Sequence, residues 1–167
     1  MINNDDQYHE LPEWQDDFMD EEEEGESWKP NPTRDACKAM YEQWNEVVLI
    51  LKAAFDSLKE PKDNDRFDKE YTEEFKASLL SDAFQVAIKI RSSVVDLYML
   101  KMENACLIRK NAENIRVATN HFLLTGTMEE KHYYIVRAEI DQFRELFKIW
   151  VSTFEKDEHE DEWGLFN

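Results

Sequence analysis

Between Thr33 and Phe154 the chain has one proline, Pro61, and one glycine, Gly126. These two residue types interrupt helices better than any others, so a stretch this poor in them divides into long uninterrupted helical tracts. Three glycines in 167 residues also exclude a glycine-rich phosphate loop. Two isolated cysteines, Cys37 and Cys106, are too few for a zinc site and read as buried thiols of a reducing cytoplasm. No apolar run approaches the roughly 20 residues that span a bilayer, so no membrane partner is expected. The acidic N-terminus lacks a basic region followed by an apolar one and does not read as a signal peptide.

Basic residues are scarce where the acids concentrate. Residues 1–32 hold twelve acids and one base, Lys29, and residues 155–167 hold six acids and one base, Lys156. The remainder carries only −2 of the net −18, so the acidity belongs to the two tails and not to the folded part. A nucleic-acid mimic needs acid on its folded face, and a nucleic-acid binder needs a basic patch. Neither is present, so the expected partners are another protein or a second copy of the chain, not nucleic acid.

What remains is apolar periodicity. Cys37, Met40, Tyr41, Trp44, Val47, Val48, Leu51, Ala54, Phe55 and Leu58 fall every third or fourth position and predict a first helix over about 34–59. Thr33 is the expected N-cap, with Asp35 at the positive helix start. From Phe67 to Thr125 no residue stops a helix by composition. A single rod of that length would run roughly 88 Å, twice its neighbours, and leave half its apolar stripe uncovered. The tract is therefore expected to turn once, at 91–96, where Ser93 and Asp96 have capping-box spacing; Ser78–Asp82 is the competing position. This gives a second helix over about 67–91 (Phe67, Tyr71, Phe75, Leu79, Ala83, Val86, Ile90) and a third over about 94–124 (Leu97, Leu100, Ala105, Ile108, Ala112, Ile115, Ala118, Phe122). Gly126 reads as a left-handed cap, and Thr127 with Glu130 opens a fourth helix over about 128–154 (Tyr133, Val136, Ile140, Phe143, Phe147, Trp150, Phe154). The expected fold is all-α: an up-down-up-down four-helix bundle over 33–156, flanked by acidic, partly mobile tails at 1–32 and 157–167.

Both tails carry large apolar groups that are costly to leave in water. Tyr8, Leu11, Trp14, Phe18 and Trp28 lie in the first, and Trp163-Gly164-Leu165-Phe166 follows six acids in the second. They read either as strap and plug folded back on the bundle or as peptides that a partner captures, with Trp14, Phe18, Trp163 and Phe166 as the candidate binding residues.

Polar residues on apolar faces form a second group. Glu103 and Asn104 interrupt the third helix, and Arg137 and Glu139 the fourth. A buried charge must be paired, so these four are expected as a buried polar cluster in which Glu103 meets Arg137. Glu129 and His132 have the i, i+3 spacing of carboxylate-bridged di-iron sites. Such a site requires a second pair and two more glutamates, so no metal and no cofactor is expected.

Arg116 and His121 have the R-x-x-x-x-H spacing that resembles the signature of the HEPN family of helical bundles, many of which are RNases. Were the resemblance functional, His121 would transfer or position a proton and Arg116 would stabilise phosphate charge; Val117 departs from the polar residue common after the family's arginine. Asp96-Leu97-Tyr98, Met102-Glu103-Asn104-Ala105, Arg137, Glu139, Phe143, Leu146-Phe147, Trp150-Val151 and the Trp163-Gly164-Leu165-Phe166 motif resemble a set of bacterial acidic helical-bundle proteins over roughly residues 80–167. The helix pattern is also similar to the four-helix-bundle family encoded in ribosomal-RNA intervening sequences. These last two resemblances imply a bundle and bring no catalytic residues, so the expected function is non-enzymatic protein–protein interaction or structural support, with RNA cleavage through Arg116 and His121 as the alternative.

Overall fold

The computed structural model describes residues 11–15, 30–60, 66–94 and 97–166. Among these residues the helices are α1 (Pro32–Asp56), α2 (Arg66–Arg91), α3 (Tyr98–Leu124) and α4 (Glu130–Ser152), with a 3-10 turn, Ser92–Val94, after α2. No strand occurs among the described residues. The helices form a ring in which α1 packs on α2 and α4, and α3 packs on the same two; α1–α4 and α2–α3 are the broad contacts.

Cross-helix bonds fix the alternating directions. Along α1 and α4 the Thr33 hydroxyl donates to Thr153, the Gln43 amide to the Glu139 carboxylate, and Ser57 pairs with His132, so one numbering rises as the other falls. Across α3 and α4, Lys101 faces Phe154 while Arg116 meets Asp141, again antiparallel.

Nine of the ten apolar positions of the α1 stripe, Cys37 to Phe55, are buried, and Leu58 is half-buried. Trp44 is the centre of that face: its ring lies 4.6 Å from Phe143, and its indole N–H donates to the Ala83 carbonyl at 2.8 Å. Burying each such large side chain contributes about 1.5–3 kcal/mol. Leu79, Ala83, Val86, Ala87 and Ile90 of α2, Ala105, Ile108, Ala112, Ile115 and Phe122 of α3, and Tyr133, Val136, Ile140, Phe143 and Trp150 of α4 join the α1 stripe in the core, with Leu11 and Met128 from outside the helices. Tyr71 departs from the expected inner face. It is 47% exposed and lies over Phe75 and the edge of His121, roofing an aromatic cluster at one end of the bundle.

The turn expected within 91–96 is present, and Ser78–Asp82 lies within continuous helix. α3 begins at Tyr98 with Leu97 at its N-cap, so Ser93 is not the residue that opens it; the Ser93 hydroxyl donates back to the Lys89 carbonyl at 2.5 Å, and the Asp96 half of the expected capping box lies outside the described residues. Two other caps also differ. Asn31 caps α1, its side-chain oxygen accepting the Arg34 amide at 3.0 Å, because Pro32 occupies the first helical position and puts Thr33 inside the helix. Thr127 does not open α4, whose first residue is Glu130; its hydroxyl instead donates to the Phe122 carbonyl. Gly126 has the expected left-handed conformation, φ +70°. The Gly126 and Thr127 amides return to Leu123 and Phe122, which satisfies the last carbonyls of α3.

Candidate functional site

The end of the bundle where α1 and α3 begin and α4 ends gathers most of the buried polar groups. Cys37 of α1 is fully buried, and its thiol lies 3.9 Å from the Ser93 carbonyl. The Trp150 indole N–H has no oxygen or nitrogen acceptor among the described residues and is turned to the Cys37 sulfur, a weak acceptor. Burial pushes the Cys37 thiol up to about 12, against smaller opposing effects of that indole and the Lys101 charge, so it stays protonated and is not a nucleophile. Lys101 is buried along its stem and holds its ammonium over the Phe154 ring at 5.6 Å. Asn104 is also buried, donating to Ser92 at 3.4 Å.

This end is where residues 157–166 attach. The Asp157 carboxylate accepts the Tyr98 amide at 2.7 Å and the His159 amide at 3.0 Å. The bond from Tyr98 is the main cause holding Asp157 below the ordinary aspartate value; partial burial opposes it, and the His159 amide and the His159 and Lys101 charges assist. Four residues on, the chain folds around Asp161. Its carboxylate accepts amides from Trp163 (3.0 Å), Leu165 (2.8 Å) and Phe166 (3.1 Å), and its carbonyl accepts the Gly164 amide at 2.8 Å. Wrapping three amides around one carboxylate requires a left-handed residue in the turn, and Gly164 supplies it at φ +70°. Desolvation works to raise the Asp161 pKa, but the three amide bonds outweigh it and the carboxyl is held below its ordinary value.

This turn throws its side chains outward. Trp163 is 89% exposed and Leu165 75%, while Phe166 is half-buried. Trp163 and Leu165 therefore do not plug the bundle. The first tail behaves oppositely where it is described: Leu11 is buried, Pro12 accepts the Tyr41 hydroxyl at 2.5 Å, and Trp14 lies 5.4 Å from the Tyr41 ring. Trp14 is thus a strap residue on α1; Phe18, Tyr8 and Trp28 lie outside the described residues.

The expected buried cluster of Glu103, Asn104, Arg137 and Glu139 does not assemble. Glu103 is exposed, Arg137 donates to the Arg116 carbonyl at 2.9 Å and lies over Tyr133, and Glu139 pairs with Gln43. The cause is register. Arg137 is level with Arg116 on antiparallel α3, and Glu103 stands thirteen residues, about 20 Å, farther along that helix. Lys101, two positions from Glu103, is the buried charge that periodicity missed; its place under Phe154 follows from the same register.

Arg116 and His121 are not brought together. Arg116 turns to α4, bonding Asp141 at 2.9 Å, whereas His121 packs edge-on against Tyr71 and Phe75 of α2. Neither lines the cleft of about 430 Å³ between the end of α1 and the first turns of α2. The three lysines of that cleft face glutamates: Lys59–Glu129 at 3.6 Å, Lys69–Glu60 at 3.5 Å and Lys76–Glu73 at 3.0 Å. The Glu129 carboxyl is lowered by its hydrogen bond and charge contact with Lys131, then by Lys59, and His132 bonds Ser57, so this pair is engaged by neighbours other than a metal. No group of three or more metal-ligating side chains stands together among the described residues, and none of the helices there is long and apolar enough to cross a membrane.

No family model, curated protein or solved structure matches this chain.

Proposed function

We propose that this chain is a non-enzymatic interaction protein of the cytoplasm, in which the helical bundle is a rigid scaffold and residues 157–166 are the contact element. One observation carries the reading: Trp163 and Leu165, 89% and 75% exposed, are presented on a turn ordered by three amide bonds to Asp161. An indole and an isobutyl group held in water forgo several kcal/mol of burial, and a pre-folded turn loses less backbone entropy when it is captured than a disordered one. Aromatic anchors of this kind dominate the energetics of protein interfaces. Thiol chemistry supports the compartment, since Cys37 and Cys106 are both free.

Affinity capture with the intact protein and with W163A/L165A tests the proposal. The double variant keeps the helical circular-dichroism signal and loses a specific partner that the wild type retains. Equal retention by both proteins overturns the reading. Sedimentation at several concentrations identifies the partner as a second copy if the wild type alone associates with itself.

A further inference from the structure

Short and long acids divide the work in residues 155–162. The two aspartates, Asp157 and Asp161, are half-buried and turn their carboxylates onto backbone amides. All four glutamates, Glu155, Glu158, Glu160 and Glu162, are exposed, and none forms an ion pair among the described residues. Folding thus consumes the aspartates and displays the glutamates. The displayed charge also has a direction, because every acid precedes Trp163, and Gly164, Leu165 and Phe166 carry none.

Resting on the interaction reading above, we infer that the partner is a protein with an apolar slot for Trp163 and Leu165 flanked on one side by a row of lysines or arginines facing Glu155, Glu158, Glu160 and Glu162. Charge complementarity selects this occupant. A neutral apolar pocket gains nothing from four unpaired carboxylates beside its anchor, and an acidic one is repelled by them. The bundle itself, at net −2 over 33–154, adds no strong field of its own, so the steering charge is that of the contact element. Nucleic acid and anionic lipid are repelled by the same four groups.

Site-directed photocrosslinking tests the inference. His159 is exposed and outside both groups of residues; His159→p-benzoylphenylalanine in the full chain is irradiated in a lysate of the source cells, and the crosslinked peptide is mapped. Capture is repeated with W163A/L165A, with E158Q/E160Q/E162Q, and at 0.1 and 0.5 M salt. The expected result is a crosslink to a protein groove bordered by Lys or Arg, abolished by W163A/L165A. Removing three exposed charges weakens it about tenfold and flattens its salt dependence. A crosslink that needs Trp163 but survives E158Q/E160Q/E162Q and 0.5 M salt unchanged overturns the charged slot and leaves the interaction reading standing. A crosslink mapped to a groove without Lys or Arg, or to nucleic acid or lipid, also overturns it. No crosslink dependent on Trp163 and Leu165 overturns both.

Discussion

Asp157 accepts the backbone N–H of Tyr98 at 2.7 Å, so a residue beyond the last helix caps the start of the third. Leu97, the residue at the N-cap position of α3, has no side chain able to do this. The contact ties the segment that carries Trp163 to the bundle. Asp157→Ala therefore lowers the melting temperature by a few degrees, whereas Asp157→Asn, whose amide oxygen still accepts the Tyr98 amide, recovers most of that loss. Thermal denaturation followed by circular dichroism distinguishes the two variants. Equal melting of D157A and wild type removes the cap from the account.

Acid should release this segment before it affects the core. Asp157 and Asp161 both ionise below the ordinary aspartate value of 3.8 in the folded protein. Between the depressed folded value and the ordinary one, the unfolded chain holds more protons than the folded one. The contribution is therefore complete above the ordinary value and is lost as pH falls through the folded one. Trp163 fluorescence, read in a variant whose other tryptophans are replaced, shifts on acidification from pH 5 to pH 2. In Asp161→Asn that pH dependence shrinks to what other groups contribute.

Much of the bundle is legible in the chain because helix burial has a period. The α1 stripe was recoverable residue by residue, and the need for a turn followed from length, since a rod twice its neighbours' length has nothing to cover it; its place near Ser93 came from the Ser93–Asp96 spacing. Periodicity does not encode register between helices. That is why Glu103 and Arg137 look like partners on paper and lie about 20 Å apart along the bundle axis, and why the buried charge is Lys101. Caps made across the fold are equally silent: nothing local to Leu97 points to Asp157. Thr33 lost the cap to Asn31 through a competition between adjacent residues that Pro32 decides. At Trp163 the sequence left plug and docking peptide open; the outward side chains follow from the bonds to Asp161, a geometry that composition does not fix.

Trp44 is the core residue with both a ring partner and a buried hydrogen bond, to Phe143 and to the Ala83 carbonyl. Trp44→Phe keeps a ring in the α1–α4 interface but removes the indole N–H and leaves a void beside α2. The expected cost is about 1–3 kcal/mol, read as a lower urea midpoint with unchanged slope. An unchanged midpoint means the helices do not close around this residue.

Gly126 isolates a purely backbone effect. A Cβ built there meets no heavy atom within 4 Å, so Gly126→Ala produces no clash. It does force a residue with a side chain to φ +70°, at a cost of about 1–2 kcal/mol. Gly126→Asn, which tolerates that conformation better, is expected to fall between alanine and wild type in denaturant titrations.

The two thiols give the sharpest test of the packing at the Cys37 end. Cys106 is exposed on α3, while Cys37 is buried between Ser93 and Trp150 with its thiol pushed up to about 12 by burial. A disulfide-exchange reagent needs both access and thiolate. The native protein should consume one equivalent promptly at pH 8 and the second only as the bundle opens. That second phase is slowed by the unfolding equilibrium, roughly a thousandfold or more for a domain of ordinary stability. Cys106→Ser removes the fast phase and leaves the slow one, which urea accelerates. If Cys37 reacts as fast as Cys106 in the native protein, the end of the bundle is open, and the anchorage of residues 157–166 on it fails with the packing that supports it.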